Sequence, residues 1–298
     1  MRLIKTPHPV YCSLSLVLLL LLTACGGSAV TPSVAPSAKS TDSEANQTKP
    51  TFRGFKRYRN DPRIFYEAGG ETLASEIASF LDAKAKLIET RQYSPFSKPI
   101  NVFILMSESS GKRYCASDRV RGCVINQRLY VTNRAKTTLQ SLVQHELSHL
   151  HLEQKLGMLR YHSQIPAWFQ EGLAVFVSNG AGAERVTFSN AIQALKTEKS
   201  IQPNTRRSLL SPKRAAEFGL KNSMFYAQSG VFVAFLHAQS PQRFKQLVLN
   251  LSVGRSFEQA LSMSYQQPLS VLWSAFKSEL SNKPLAGLSS YDFKQKSR

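Results

Sequence analysis

The spacing of apolar positions changes along the chain, and each change marks an element. Leu14 to Leu22 is an apolar run broken only by Ser15, too short for a permanent bilayer-spanning helix of about 20 residues. From Gly26 to about Pro50 the residues are small or polar, a composition that cannot repay the entropy of ordering and predicts a flexible tether. Phe52 to Arg63 mixes aromatic and basic residues, expected as a domain edge that packs its rings and exposes its charges, with a membrane-facing patch as the alternative. Leu73, Ile77, Phe80, Leu81, Ala85 and Ile88 recur every three or four positions and predict an amphipathic helix near Glu71–Arg91. Ile100 to Leu105 is short and apolar, the pattern of a buried strand, and Val124 to Val131 alternates as a second strand.

Helical periodicity dominates thereafter: from Thr137 or Thr138 to Leu156, then Trp168–Ser178, Phe188–Lys196, Ser223–Gln239, Pro241–Val248, Ser256–Ser262 and Pro268–Leu280. Strands early and helices late predict an α+β fold, a small N-terminal sheet followed by a mostly helical C-terminal part. The expected organisation is a leader over 1–24, an acylated cysteine and tether over 25–50, and one globular domain over 51–298.

Charge and the front end narrow the setting. The 298 residues hold 38 Lys+Arg against 19 Asp+Glu, a net +19. That balance fits a nucleic-acid partner, an anionic membrane face or another polyanion. The leader decides among them. Arg2 and Lys5 precede the apolar run, which ends at Leu22-Thr23-Ala24-Cys25, a secretion signal. This ending resembles the lipobox of bacterial lipoproteins, in which cleavage leaves Cys25 as the acylated first residue; an ordinary signal peptide with a chance cysteine is the other reading. Gly26 in place of aspartate implies, by the same resemblance, the outer membrane facing the periplasm. The expected partners are then the membrane, through an N-terminal lipid, and anionic envelope surfaces. Nucleic acid is not expected, since no aromatic-basic repeat, zinc-finger spacing or helix-turn-helix signature is present.

Cys115 and Cys123 are the thiols left once Cys12 is removed with the leader and Cys25 is acylated. Eight residues apart in an oxidising compartment, they are most simply a disulfide; half a metal site or a redox pair are the alternatives.

The chemistry concentrates in His145-Glu146-Leu147-Ser148-His149, an HExxH pattern inside the strongest helical segment. Histidines four apart lie on one helix face and can converge on one zinc ion, with Glu146 beside them to activate water. Beyond Pro166, Trp168-Phe169-Gln170-Glu171-Gly172 opens another helix, and Glu171 completes a His2Glu set. Its apolar neighbours would make an unpaired carboxylate costly. The bland reading leaves Glu171 exposed while the aromatics pack elsewhere.

HELSH with the downstream WFQEG resembles the gluzincin metallopeptidases, and within them the peptidase MA-like group of bacterial proteins, related more distantly to the gluzincin aminopeptidases and to thermolysin. The resemblance covers roughly Ile100 to Leu236, with its specificity in residues 145–174. It implies a zincin-like domain, with His145, His149 and Glu171 as zinc ligands and Glu146 as general base. It implies hydrolysis of peptide bonds in a peptide or protein substrate, by an endopeptidase, since the GxMEN signature that holds a substrate amine is absent. Metzincins are disfavoured because Leu152 and Lys155 stand where a glycine and a third histidine are needed. Tyr226-Ala227-Gln228-Ser229 matches a segment of the family, and by analogy Tyr226 donates a hydrogen bond to the oxyanion; His162, beside Tyr161, is the other candidate for that role. The alternative function is a non-catalytic zincin-fold lipoprotein that binds or scaffolds a partner. His151 points away from the ligand face and reads as filler, His237 as a cap on the C-terminus of its helix, and Arg206, Arg207, Lys213 and Arg214 as solvated surface.

Overall fold

A computed structural model describes residues 52–197, 199–205 and 215–294. The leader, Cys25, the tether and the basic run from Arg206 to Arg214 lie outside the described residues. The described residues form a single compact unit. It combines a mixed sheet with a mostly helical remainder, the α+β arrangement expected from the pattern and the zincin-like one implied by the resemblance. No described helix is long and apolar enough to cross a membrane.

Five strands, β1 (Lys56–Arg57), β2 (Ile64–Tyr66), β3 (Val102–Leu105), β4 (Gly122–Ile125) and β5 (Arg128–Thr132), form one sheet in the order β1-β2-β3-β5-β4. The β2, β3 and β5 pairings are parallel, whereas β1 and β4 run antiparallel at the two edges. The central strand β3 is apolar throughout because both its faces are covered. Val102 and Ile104 join the main core beneath helix α1 (Glu71–Arg91) and helix α3 (Leu139–Leu156), while Phe103 and Leu105 join an aromatic cluster on the other face. Phe52 and Phe55 complete that cluster, their rings 4.8 Å and 5.2 Å from Phe103, and the Arg57 guanidinium lies over Phe65. The Phe52–Arg63 segment is therefore a domain edge with its rings turned inward.

Two corrections concern the region before α3. The expected single strand Val124–Val131 is the hairpin β4–β5, with Asn126 and Gln127 both left-handed (φ 52° and 59°) in a two-residue turn. A two-residue turn preserves the period-2 alternation, so the pattern ran straight through it. A further helix, α2 (Glu108–Cys115), was not evident because its polar sequence ESSGKRYC carries no apolar stripe. It is held instead by the Ser107 hydroxyl, which accepts the Ser110 N–H at its N-terminus. Cys115 at the end of α2 is disulfide-bonded to Cys123 of β4, so the bridge ties a helix to the edge strand.

Helix α4 (Met158–Gln164) is also new; seven residues with only Tyr161 buried show no period. The remaining helices are α5 (Ala167–Val177), α6 (Phe188–Leu195), α7 (Asn222–Gln239), α8 (Pro241–Ser252), α9 (Phe257–Tyr265) and α10 (Leu269–Asn282), within a few residues of the expected spans. His237 does not cap α7. Its ring packs against Phe176 and Phe244, and this burial lowers its pKa.

The crossing of α5 and α7 depends on two glycines. A Cβ on Gly172 would lie 2.6 Å from the Ser229 carbonyl oxygen, and one on Gly230 would lie 2.5 Å from Val175 Cγ1. Alanine at 172 gains about 1 kcal/mol of helix propensity, but overpacking against backbone costs about 1–3 kcal/mol. Because the obstructing atom is backbone, the cost wins. Gly172→Ala is expected to lower the urea midpoint; a midpoint at or above wild type would show that the helices separate freely.

Candidate metal centre

The amphipathic character of α3 explains how it can carry polar groups into the interior. Leu139, Val143, Leu147 and Leu150 anchor it in the core, and His145 and Glu146 are drawn under the sheet edge, 4% and 8% exposed. The edge strand lies close above: a Cβ on Gly122 would be 3.3 Å from Glu146 Cγ and 3.1 Å from the Tyr130 carbonyl oxygen. Any side chain at 122 would press these neighbours back by a few tenths of an ångström.

His145, His149 and Glu171 come together. Their Nε2 atoms are 3.1 Å apart, and Glu171 Oε2 lies 3.4 Å from His145 Nε2 and 3.6 Å from His149 Nε2. Each residue offers one ligand atom, all within 4.8 Å of one another. Ligands bound at about 2.0–2.1 Å with tetrahedral angles are roughly 3.3 Å apart, so these edges fit zinc. The chemistry of the donors agrees. A carbonyl can only accept, so His145 Nδ1 donates to the Ala181 oxygen at 2.9 Å, which leaves Nε2 to face the site. His149 Nδ1 lies 2.8 Å from the Tyr161 hydroxyl, and donation to that oxygen exposes its Nε2 lone pair too. Glu171 Oε2 is buried without a hydrogen-bond partner. Three acceptors pointing at one another require positive charge between them.

The electrostatics show the same demand. Burial alone would raise Glu171, but the charges of His149 and His145 hold it well below the usual carboxylate range. Burial pulls His149 down, yet Glu171 and the nearby Glu146 and Glu153 outweigh it and raise the imidazole. Burial pushes Glu146 upward against the pull of both histidines, a direction suited to a group that takes and returns a proton.

A loop after α5 completes the enclosure. Asn179, Gly180 and Gly182 all adopt positive φ, turning the Ala181 carbonyl toward His145. At Gly182 (φ 86°) a Cβ would stand 3.0 Å from both His145 Cε1 and Tyr226 Cδ2. The Tyr226 ring, at the start of α7, thus lies beside His145, 6.0 Å between centroids. His162 packs edge-on against Tyr161 at 5.1 Å, and His151 is buried in the core, pushed down to about 4 by desolvation, with Nε2 donating to the Ser94 carbonyl at 2.8 Å.

Sequence reasoning did not find Tyr161, Ala181, Gly182 or Arg121. Arg121 precedes β4, donates to Thr138 Oγ1 at 2.8 Å and pairs with Glu184 at 3.3 Å, joining the edge strand to the post-α5 loop. Tyr161 had one usable signal, a tyrosine shortly after HExxH, but the bond is between α3 and α4 and needed the turn at Gly157 to be known. Outer-shell partners of a ligating histidine typically contribute about 10–100-fold to metal affinity. Tyr161→Phe is accordingly expected to weaken zinc binding by about tenfold or more while leaving the fold intact, measured by competition with a chromogenic chelator. Unchanged affinity would assign the phenol to packing alone.

The disulfide bears on the same strand. Loop closure over its eight-residue separation is worth about 2.5 kcal/mol, an upper bound of about 5–10 °C in a domain of this size. The edge strand it fixes is β4, which has no second strand neighbour among the described residues, and an edge of that kind can pair with an extended chain. Cys115→Ser should lower Tm within that bound and raise KM more than it lowers kcat. A lower Tm with KM untouched would make the bridge a staple only.

Comparison with known proteins agrees with the geometry. No curated protein matches the chain significantly. A family profile, that of the Peptidase MA superfamily, matches residues 132–282, about half of the sequence and the part that holds α3, α5 and Tyr226. With the ligand set, the buried Glu146 and this match in agreement, the chain belongs to the Peptidase MA superfamily.

Proposed function

We propose that the protein is a zinc-dependent endopeptidase of the bacterial cell envelope, held by lipid on Cys25 at the outer membrane with its domain facing the periplasm. The observation that carries the catalytic part is the convergence of His145 Nε2, His149 Nε2 and Glu171 Oε2 beside a buried carboxylate that is not needed as a ligand. His145, His149 and Glu171 would hold a zinc ion, which would supply Lewis acidity toward a peptide carbonyl and its attacking water. Glu146 accepts the proton of that water on a carboxylate oxygen and delivers it to the leaving amine nitrogen. Tyr226, beside His145, or His162, beyond Tyr161, donates a hydrogen bond to the carbonyl oxygen as it gains charge. The edge strand β4 holds the peptide extended across the site. A purely scaffolding protein has no chemical use for a carboxylate buried at the position of Glu146, and this favours hydrolysis over the binding role.

Metal analysis of the purified full chain and peptide-library cleavage read by mass spectrometry test the proposal together. Wild type should carry about one zinc per chain and cleave within peptides, and His145→Ala should do neither. A folded wild type that binds no zinc and cuts nothing would overturn the reading. Acylation is tested separately: the mature N-terminus should be lipid-modified Cys25, and Cys25→Ser should release the protein from membranes.

A further inference from the structure

Six large apolar side chains stand exposed among the described residues, and three of them occupy two adjoining turns. Met158 and Leu159, 44% and 68% exposed, open α4; Val253, 75% exposed, lies in the α8–α9 turn. The turns touch, since a Cβ on Gly254 would be 3.1 Å from an Arg160 guanidinium nitrogen. Met263 extends the same face, exposed at the rim of an open hollow of about 680 Å³ that Arg255 and the end of α4 also line. Exposure of 68% and 75% belongs to side chains that project, not to the walls of a groove, so the face is poorly shaped to grip a helix or peptide. Projecting apolar tips with cations beside them suit a headgroup layer, where the tips enter the acyl boundary and the guanidinium groups meet lipid phosphate.

We propose that this face, formed by Met158, Leu159, Val253 and Met263 with Arg160 and Arg255, docks on an anionic lipid bilayer. The net charge of +19 favours that partner, although Glu258 also borders the hollow. The inward-turned rings of Phe52 and Phe55 leave the N-terminal edge unsuited to the task. The docking face adjoins the metal centre through one residue, because Arg160 precedes Tyr161, whose hydroxyl meets His149. The inference needs neither acylation of Cys25 nor hydrolysis, so it can fail without them.

The test uses the full chain with Cys12 and Cys25 replaced by serine and a nitrobenzoxadiazole label on Leu159→Cys, on Val253→Cys or, as a control, on Lys86→Cys of α1. Vesicles of phosphatidylglycerol with phosphatidylethanolamine should shift the emission at 159 and 253 to the blue and leave 86 unchanged. Phosphatidylcholine vesicles should do much less. A surface cation contributes about fivefold to anionic-membrane affinity, so reversing both in Arg160→Glu/Arg255→Glu should raise the lipid concentration for half the response by at least about tenfold. Labels that remain in water while the protein floats with the vesicles would overturn the proposal. So would an equal response to phosphatidylcholine, or a shift that grows with protein concentration without lipid, which would mark a self-association face.

Discussion

Glu146→Gln should lower peptide hydrolysis by about 10²–10⁴-fold, the usual contribution of a positioned general base, while zinc content stays at the wild-type value. Glutamine keeps the shape of the side chain but cannot accept the water proton. The carboxylate is not among the three ligand atoms, so the metal set is undisturbed. Stability should be unchanged or higher. Glu146 is 8% exposed beneath β4, and burial already penalises its charged form, so a neutral amide removes a desolvation cost that function imposes. Initial rates, metal analysis and a melting curve on the same preparation decide the matter. Activity within tenfold of wild type would remove Glu146 from the role of base; lost zinc would make it a ligand or a structural support.

What could be read in advance depended on the range over which each signal acts. The periodicity of α1 located Glu71–Arg91 to the residue, because a 21-residue amphipathic helix has five turns in which to repeat itself. The proximity of His145 and His149 was legible for the same reason: residues four apart share one helix face, so spacing alone implies it. Glu171 was legible from its apolar neighbours, in whose company a lone carboxylate is costly. Gly172, which follows it, had no reading until α7 was placed against it and the Ser229 carbonyl filled the space of its missing side chain. The same limit hid Ala181 and Tyr161. Each meets a histidine nitrogen from a different element, and a backbone carbonyl leaves no trace in residue identity. Errors in the sheet had a local cause: Asn126-Gln127 lacks the glycine that usually marks a left-handed two-residue turn, and the Gln127 N–H is instead held by the buried Glu153 carboxylate at 2.8 Å.

Zinc should raise the melting temperature by about 8–16 °C over chelated protein at a free zinc concentration near a thousand times Kd, and Glu171→Gln should abolish that increment. Binding to the folded state alone adds about 4 kcal/mol under those conditions, and 1 kcal/mol moves Tm by about 2–4 °C in a domain the size of Pro50–Arg298. The sign for the variant follows from the donors. In chelated wild type, the buried Glu171 Oε2 faces two imidazole nitrogens with no hydrogen bond of its own. The Glu171 carboxylate and the imidazole charge of His149 nevertheless support one another without metal, so chelated Glu171→Gln should melt below chelated wild type. Addition of zinc should widen the gap, because only wild type retains the carboxylate ligand. Magnesium should give no increment to either protein, since two imidazole nitrogens suit zinc and not a hard cation that demands oxygen ligands. Glu146→Gln, with its ligands intact, should keep the full zinc increment. The two glutamates are thereby separated by a measurement that needs no substrate: loss of the increment marks the ligand, and its retention marks the base. Equal melting of wild type with zinc and with chelator would refute the metal centre itself.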